Sequence, residues 1–483
     1  MAMSPDCALY IGGEFCAAAS GRTEAVINPA TEEPLAHVPY GDATDARRAL
    51  DAAAQALGPW GRMNAWERGA ILRRAADLIR ERAPEIARTM SSEVGKPVPE
   101  SLGETLAAAA QFEWMGEEGK RVYGRWVPPS RDGVRRWVLH QPVGVCAAAT
   151  AWNFPLLLPA RKIAAATAAG CTIVARPSIH APLAAMQMVA CLHEAGFPPG
   201  VINHVLGPAR ELMGVFMDDP RCRKVSFTGS TEVGKQLMQG AAGQVKKLSL
   251  ELGGSAPVLI FPDVDVERVA AATVQAKFRN NGQVCIAAAR FYVHQSIYDE
   301  YVREVVRRAE ALVVGDPMQE GTHCGPLFAR EAVERMMSLV DDARTRGARI
   351  LAGGRPPEGA GFERGFWFLP TVLDQVPPGA RLRCEETFGP LMPLFRFGTV
   401  DEAIREANDT PYGLAAYVFT RDLSRAIEVC EALRFGIVGL NDMVPATAEC
   451  PFGGMKESGM GREGGAEGIA EYLETQYVSV GMA

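Results

Sequence analysis

The residue type best suited to covalent chemistry stands at the end of Phe278-Arg279-Asn280-Asn281-Gly282-Gln283-Val284-Cys285. A helix-period pattern runs out into Asn-Asn-Gly, a turn signal, and the cysteine follows at once. That order predicts a thiol at a helix end, facing a cleft. A thiolate attacks carbonyl carbon once its pKa falls, forming acyl or hemithioacetal adducts. Any one of the chain's 11 cysteines is, by itself, better explained as a small core residue. A second group is the carboxylate of Leu250-Glu251-Leu252-Gly253-Gly254, set between apolar residues and two glycines. Desolvation raises such a pKa toward that of a general base, although a strand-end carboxylate bonded to a Gly-Gly turn is the plainer explanation. Phe227-Thr228-Gly229-Ser230-Thr231-Glu232-Val233-Gly234 leads from a strand pattern into a helix pattern. Free N–H groups at that helix start, with Ser230, can hold a pyrophosphate. The stretch is not GxGxxG, and none follows residues 143–149. Ala151-Trp152-Asn153-Phe154-Pro155 offers an amide that either faces a developing oxyanion or builds an Asn-x-Pro turn.

These pieces need a frame that brings them together. Before residue 121, helix-period stripes over 43–57, 66–90 and 100–119 follow a short hairpin around Gly12-Gly13, and Pro84 is expected to kink or divide the second stripe. From residue 143 short buried-strand runs alternate with helices, and after Gly253-Gly254 the alternation restarts and reaches about residue 419. This predicts an α/β protein with parallel sheets covered on both faces. Residues 122–142 are polar and strand-like and fit neither neighbour, so they read as a protruding arm.

Composition narrows the class. A chain of 483 residues has a soft prior of about three structural units. Lys and Arg total 50 against 57 Asp and Glu, a net charge of −7, which argues against nucleic-acid or anionic-membrane partners. The longest uncharged stretch, 142–160, is broken by Pro142, Asn153, Pro155 and Pro159, so no membrane span is expected. No basic residue precedes Arg22, so no secretory leader is expected either. Cysteines without CxxC or Cys/His metal spacing point to reduced thiols in a cytoplasmic protein and to no metal site.

Taken in order, AWNFP, RPS, FTGSTEVG, LELGG, FRNNGQVC, EETFGP and PFGGMKESGMGRE resemble the aldehyde dehydrogenase superfamily over about residues 11–477. The wording at 117–121, 408–410 and 464–472 looks most like its succinate-semialdehyde dehydrogenase branch. The resemblance implies a Rossmann-type dinucleotide domain over 1–121 and 143–252, an α/β catalytic domain over 253–455, and a β-arm for oligomerisation from 122–142 and 467–483. It implies NAD- or NADP-dependent oxidation of a small-molecule aldehyde by a homodimer or homotetramer. Succinate semialdehyde is the model substrate. Glutarate or 2-oxoglutarate semialdehyde and aryl keto-aldehydes are alternatives, and a non-redox Cys-dependent acyltransferase is a more distant one.

By the same likeness Cys285 is the nucleophile, and the Asn153 amide with the Cys285 N–H holds the oxyanion. Glu251 then activates the water that hydrolyses the thioester. Gly229 and Ser230 take the pyrophosphate, Trp152 lines its path, and Arg176 and Ser178 take the adenosine ribose. Glu386 binds the nicotinamide ribose, with Phe388 packed beside it. Arg161 and Arg279 clamp a distal substrate carboxylate, helped by the Thr447 hydroxyl. Two arginines near one thiol are costly to bury unless an anion neutralises them, and protein carboxylates are the alternative anions. Two departures stand out. Arg176-Pro177-Ser178-Ile179 replaces the Lys-Pro-Ser-Glu of many relatives, keeping a positive charge and losing a carboxylate that would repel a 2′-phosphate. Acceptance of NADP is therefore expected. Ala287 stands where some semialdehyde dehydrogenases carry a second cysteine, so no local redox disulfide is expected there.

Overall fold

Strand Val145–Ala149 sorts the first half of the chain into layers: Val145, Ala147 and Ala149 enter one apolar cluster, Cys146 and Ala148 the other. Successive side chains of a strand point to opposite faces, and helices cover both faces of a parallel sheet. Small residues in this strand let those helices close tightly. The computed structural model describes residues 7–482; residues 1–6 and 483, inside the expected domain bounds, lie outside them.

Five parallel strands form the centre of the first sheet, in the order Lys247–Glu251, Cys222–Thr228, Val145–Ala149, Thr172–Arg176, Ile202–His204. Strand Val145–Ala149 lies in the middle, and the chain builds outward first on one side and then on the other. The reversal between Val145–Ala149 and Cys222–Thr228 opens a crevice at their carboxyl ends, where doubly wound sheets bind ligands. The hairpin Leu9–Ile11/Glu14–Cys16 joins one edge, and Gly459–Met460 joins the other antiparallel to Lys247–Glu251.

The second sheet repeats the device. Its order is Arg349–Ala352, Thr371–Asp374, Leu391–Phe397, Ala288–His294, Ala256–Ile260, Ala415–Phe419, Ile437–Leu440, with only the first strand antiparallel. Ala256, Val258 and Ile260 face one core and Leu259 the other. An α/β fold of two covered, mostly parallel sheets is what the sequence pattern predicts. A third, antiparallel sheet joins Arg125–Trp126, Val134–Pro142 and Leu473–Gly481, the last two paired over nine residues.

Pro84 divides the long stripe as expected, giving helices Ala65–Glu81 and Ala83–Val94 with the proline in the second helix's first turn. Other elements differ from expectation. The C-terminal segment assigned to the arm from residue 467 begins inside helix Gly465–Ala470, and Ile469 and Tyr472 are buried in the first domain's core. Only Leu473 onward is arm strand, because apolar residues at 469 and 472 anchor the chain before it leaves. Helices Ala209–Asp218, Val400–Asn408 and Leu423–Ala432, and strands Thr371–Asp374 and Ile437–Leu440, escape the sequence pattern. Each has 10 residues or fewer, too short to form alone, and is held by tertiary packing. Among the described residues no helix is long and apolar enough to cross a membrane, and no His/Cys/Asp/Glu cluster has metal-binding geometry.

Candidate active site

Cys285 follows the end of helix Val266–Phe278 and a 3-10 turn, Arg279–Gly282, in which Asn280 and Asn281 both take left-handed backbone angles (φ 46° and 52°). Asn tolerates that region better than other side-chain-bearing residues. Side-chain bonds over-determine the turn. Asn280 Nδ2 donates to the carbonyls of Asn153 (3.1 Å) and Gln283 (3.3 Å), and Gln283 Nε2 donates to the Asn280 carbonyl (3.2 Å). The buried Tyr417 hydroxyl donates to the Ile286 carbonyl at 2.7 Å, fixing the residue after the thiol.

Asn153, 4 % exposed, arrives from the loop after the central strand of the first sheet. Its amide Nδ2 donates one hydrogen to the Gln283 carbonyl at 3.0 Å, which leaves its second N–H for another acceptor beside the nucleophile loop. Its own carbonyl takes a bond from Lys96 Nζ at 2.9 Å.

Glu251 comes from the carboxyl end of strand Lys247–Glu251, one strand beyond Cys222–Thr228, and is 4 % exposed, its Oε2 without a hydrogen-bond partner among the described residues. Gly453, from the PFGG stretch, leaves room for it: a Cβ there would stand 2.8 Å from Glu251 Oε1. Burial first, then the Glu463 carboxylate, raise the Glu251 pKa well above the usual range; Lys162, Arg161 and Arg462 oppose the rise. Burial also pushes the Cys285 thiol up to about 12, with Glu251 adding to the rise and Arg161 opposing it. With its pKa raised, the thiol is mostly protonated at neutral pH, and its reactive thiolate fraction grows as pH rises.

The two arginines have different surroundings. Arg161 is 4 % exposed, stacks over the Phe452 ring at 4.1 Å, and faces Glu463 Oε2 at 3.9 Å, with its Nε unpartnered. Glu463 is mainly held by Lys162 Nζ. Arg279 makes no ion pair or side-chain hydrogen bond among the described residues; its guanidinium lies 5.6 Å from the Phe154 ring centre. Pairing with a protein carboxylate thus describes Arg161 and not Arg279. Phe154, Cys285, Met443 and Ala446 pack, partly buried, against the apolar cluster that includes Phe452, while Thr447, next along the chain, is exposed.

The residues expected to meet a cofactor fall at or near the carboxyl ends of the first sheet's strands and in the loops facing them. Among the described residues, Thr150 Oγ1, Arg176 Nε and Thr228 Oγ1 are buried without hydrogen-bond partners, at the carboxyl ends of three adjacent strands. Such orphaned groups are costly unless a polar ligand meets them, and a dinucleotide fits that row. Arg176 Nη2 donates to the Gly207 carbonyl at 2.8 Å, and burial lowers its pKa to about 10. Ser178 is buried and its Oγ accepts from His180 N–H at 3.3 Å, so it is already engaged. Ser230, after Gly229, caps helix Thr231–Ala242 and is solvent-exposed. Trp152 stacks on Phe328 at 3.9 Å and meets the edge of Phe388 at 5.8 Å. Glu386 Oε1 accepts from Gly254 N–H at 2.9 Å, and burial lifts its pKa to about 7. A Cβ on Gly253 would come within 2.8 Å of Glu386 Oε2, so a side chain there would displace that carboxylate.

Cys285, Asn153, Glu251, Arg161 and Glu386 therefore converge, Arg279 joins them through Phe154, and Arg176, Ser178 and Ser230 lie farther along the crevice. Reasoning from sequence missed Lys96, Glu104, Lys162, Asn280, Gln283, Tyr417 and Glu463. A signal existed for Glu104: it occupies the buried stripe of helix Val98–Glu118 with Ser101, Thr105, Ala108 and Phe112, a carboxylate on a core face.

The family model described as "Aldehyde dehydrogenase family" matches residues 15–478. A glutarate-semialdehyde dehydrogenase of Pseudomonas putida is 44% identical over 471 residues, covering 98% of this chain and 97% of its own. An NADP(+) succinate-semialdehyde dehydrogenase of Escherichia coli is 43% identical over 472 residues, with the same coverage. The crystal structure of a succinate-semialdehyde dehydrogenase from Burkholderia pseudomallei superposes with a TM-score of 0.96 at 43% identity, covering 98% of both chains.

Proposed function

Because the chain belongs to the aldehyde dehydrogenase family, we propose that it oxidises a semialdehyde bearing a distal carboxylate, of the succinate or glutarate semialdehyde class, to the corresponding diacid. The observation that carries the substrate class is Arg279, a guanidinium beside Phe154 that feels the buried Glu100 carboxylate but makes no ion pair or side-chain hydrogen bond among the described residues. A substrate anion supplies the charge-assisted bond that the protein does not.

Cys285 Sγ, deprotonated, attacks the aldehyde carbon. The oxyanion is met by the free N–H of Asn153 Nδ2, which its bond to Gln283 holds in place. A bound nicotinamide dinucleotide, NAD or NADP, supplies the acceptor for the hydride that leaves this adduct. Cys285 then carries a thioester. Glu251, whose raised pKa makes it a stronger base than an exposed carboxylate, draws a proton from the attacking water and releases the acid. Glu386, Ser230 and the orphaned Thr150, Arg176 and Thr228 atoms hold the dinucleotide. Ile179 leaves no carboxylate at the adenosine ribose, which supports use of the 2′-phosphorylated cofactor. The nine-residue strand Leu473–Gly481 is paired on one side only, and we assign the three-stranded arm to a homo-oligomer contact.

Purified protein assayed with succinate semialdehyde or a neutral aldehyde of equal length, against NAD or NADP, tests the reading. The expected result is a strong preference for the semialdehyde and turnover with NADP at least equal to that with NAD. Equal kcat/KM for both aldehydes removes the clamp. No reduced nicotinamide from any pairing removes the whole assignment.

A further inference from the structure

The Asn153 loop is braced by a buried ion pair that takes no part in the bond changes above. Lys96 sits in the Gly95-Lys96-Pro97 connector between helices Ala83–Val94 and Val98–Glu118, and Glu104 projects from the second of these. Their side chains are each 1% exposed and bond to each other. Among the described residues, every other hydrogen bond of the pair goes to residues 153–157. Lys96 Nζ donates to the Asn153 carbonyl at 2.9 Å, and Glu104 Oε1 accepts from Leu156 N–H at 2.9 Å and Leu157 N–H at 3.1 Å. The ammonium also lies 4.3 Å from the centre of the Phe154 ring. Helix Leu157–Ala168 has no side-chain cap of its own, so a carboxylate from another helix caps it.

Two desolvated charges are a poor route to stability, since well-packed apolar residues often serve as well. They do fix geometry, because each ion's unmet bonds can be satisfied in one arrangement only. Here that arrangement sets where Asn153 begins and how the helix behind it is aimed. We propose that the Lys96–Glu104 pair is a positioning device for the oxyanion donor. It holds the Asn153 backbone so that the side-chain N–H left free by Gln283 points at the oxyanion of the Cys285 adduct. The inference rests on the role given to Asn153 above. Asn280 Nδ2 also reaches the Asn153 carbonyl, so loss of Lys96 shifts the loop without leaving that carbonyl unbonded.

The test is a double-mutant cycle on the full chain, read by the rate of the first-turnover burst of reduced nicotinamide with a neutral aldehyde. Loss of one oxyanion donor costs about 10²- to 10³-fold in other enzymes, so Asn153→Ala is expected to slow the burst by about that factor. Lys96→Met is expected to slow it about 30-fold, with KM and cofactor Kd changed less than about threefold, and Lys96→Arg to recover part of the rate. In the Asn153→Ala background the same Lys96→Met change is expected to cost less than about threefold, because its effect passes through the missing amide. Equal fold losses in both backgrounds would show a merely structural residue and overturn the proposal, as would a loss confined to KM or cofactor Kd. A burst untouched by Asn153→Ala alone would instead remove the donor role, and this inference with it. If Lys96→Met does not fold, Glu104→Gln, which keeps an oxygen for the Leu156 and Leu157 N–H groups, is carried through the same cycle with the same criteria.

Discussion

The two flanks of Cys285 are built on opposite plans. On the Asn153 flank, the amide, the Gln283 carbonyl, the Asn280 side chain and Lys96 are joined by hydrogen bonds of 2.9 to 3.3 Å. On the Glu251 flank, two carboxylates, Glu251 and Glu463, are buried among Lys162, Arg161 and Arg462, and one oxygen of each carboxylate has no hydrogen-bond partner among the described residues. A donor for developing charge works best when it cannot reorganise, so the first flank is locked. A base must accept a proton from water and give it up again, so the second keeps its carboxylate under-bonded and its pKa high. The difference teaches that the way a group's neighbours are bonded, rather than burial, distinguishes the two flanks, since Asn153 and Glu251 are equally buried.

Substitutions can break this contrast. Cys285→Ala sets the scale and should abolish turnover, by on the order of 10⁴-fold or more, with cofactor binding retained in a fluorescence titration. Glu251→Gln should lower steady-state turnover by about 10²- to 10⁴-fold while a stoichiometric burst survives, because only hydrolysis needs the base. Asn153→Ala, worth about 10²- to 10³-fold, should slow the burst itself. Rapid-mixing traces distinguish the two, and a burst lost equally in both variants would erase the division between flanks.

Arg279 and Arg161 sharpen it further. Arg279, with no ion pair among the described residues, should act mainly on substrate: Arg279→Ala should raise KM for succinate semialdehyde about 10- to 100-fold, the worth of a charge-assisted bond, and leave a neutral aldehyde unchanged. Arg161 is tied to the charged flank, so Arg161→Met should impair both aldehydes and move the pH profile of hydrolysis to higher pH, since it removes a cation that opposes the rise at Glu251. Matching KM effects on both aldehydes at Arg279 would count against the clamp.

The pH dependence has a defined sign. Cys285 and Glu251 act deprotonated and both pKa values are raised, so kcat/KM should climb from neutral into alkaline pH rather than peak near neutrality. Glu386 should show a smaller effect. Its carboxylate accepts bonds from ribose hydroxyls only when charged, so cofactor affinity should improve as pH rises through about 7. Glu386→Gln should flatten that dependence in a titration series. The smallest expected change is Ile179→Glu, which should shift preference from NADP toward NAD by about 10-fold, one charge repulsion of roughly 1.4 kcal/mol.

The Cys285 thiol at a helix end, the strand-to-helix step at Ser230 and the Glu251 strand end could all be read in the chain, because local turn chemistry and period-2 or period-3.6 patterning encode them. So could the two α/β units, whose alternation repeats over hundreds of residues. Short elements such as Val400–Asn408 could not, as they are made by the cores they cap. Nor could the difference between Arg161 and Arg279, which look alike in sequence. That difference depends on Glu463, about 300 positions from Arg161 along the chain and 3.9 Å from it in space. The same holds for Lys96 and Glu104. Sequence determines which residue types are present and which local structure each prefers. Which charges are neutralised, and which polar atoms stay unmet, was decided only when strand ends from distant parts of the chain came together and excluded water.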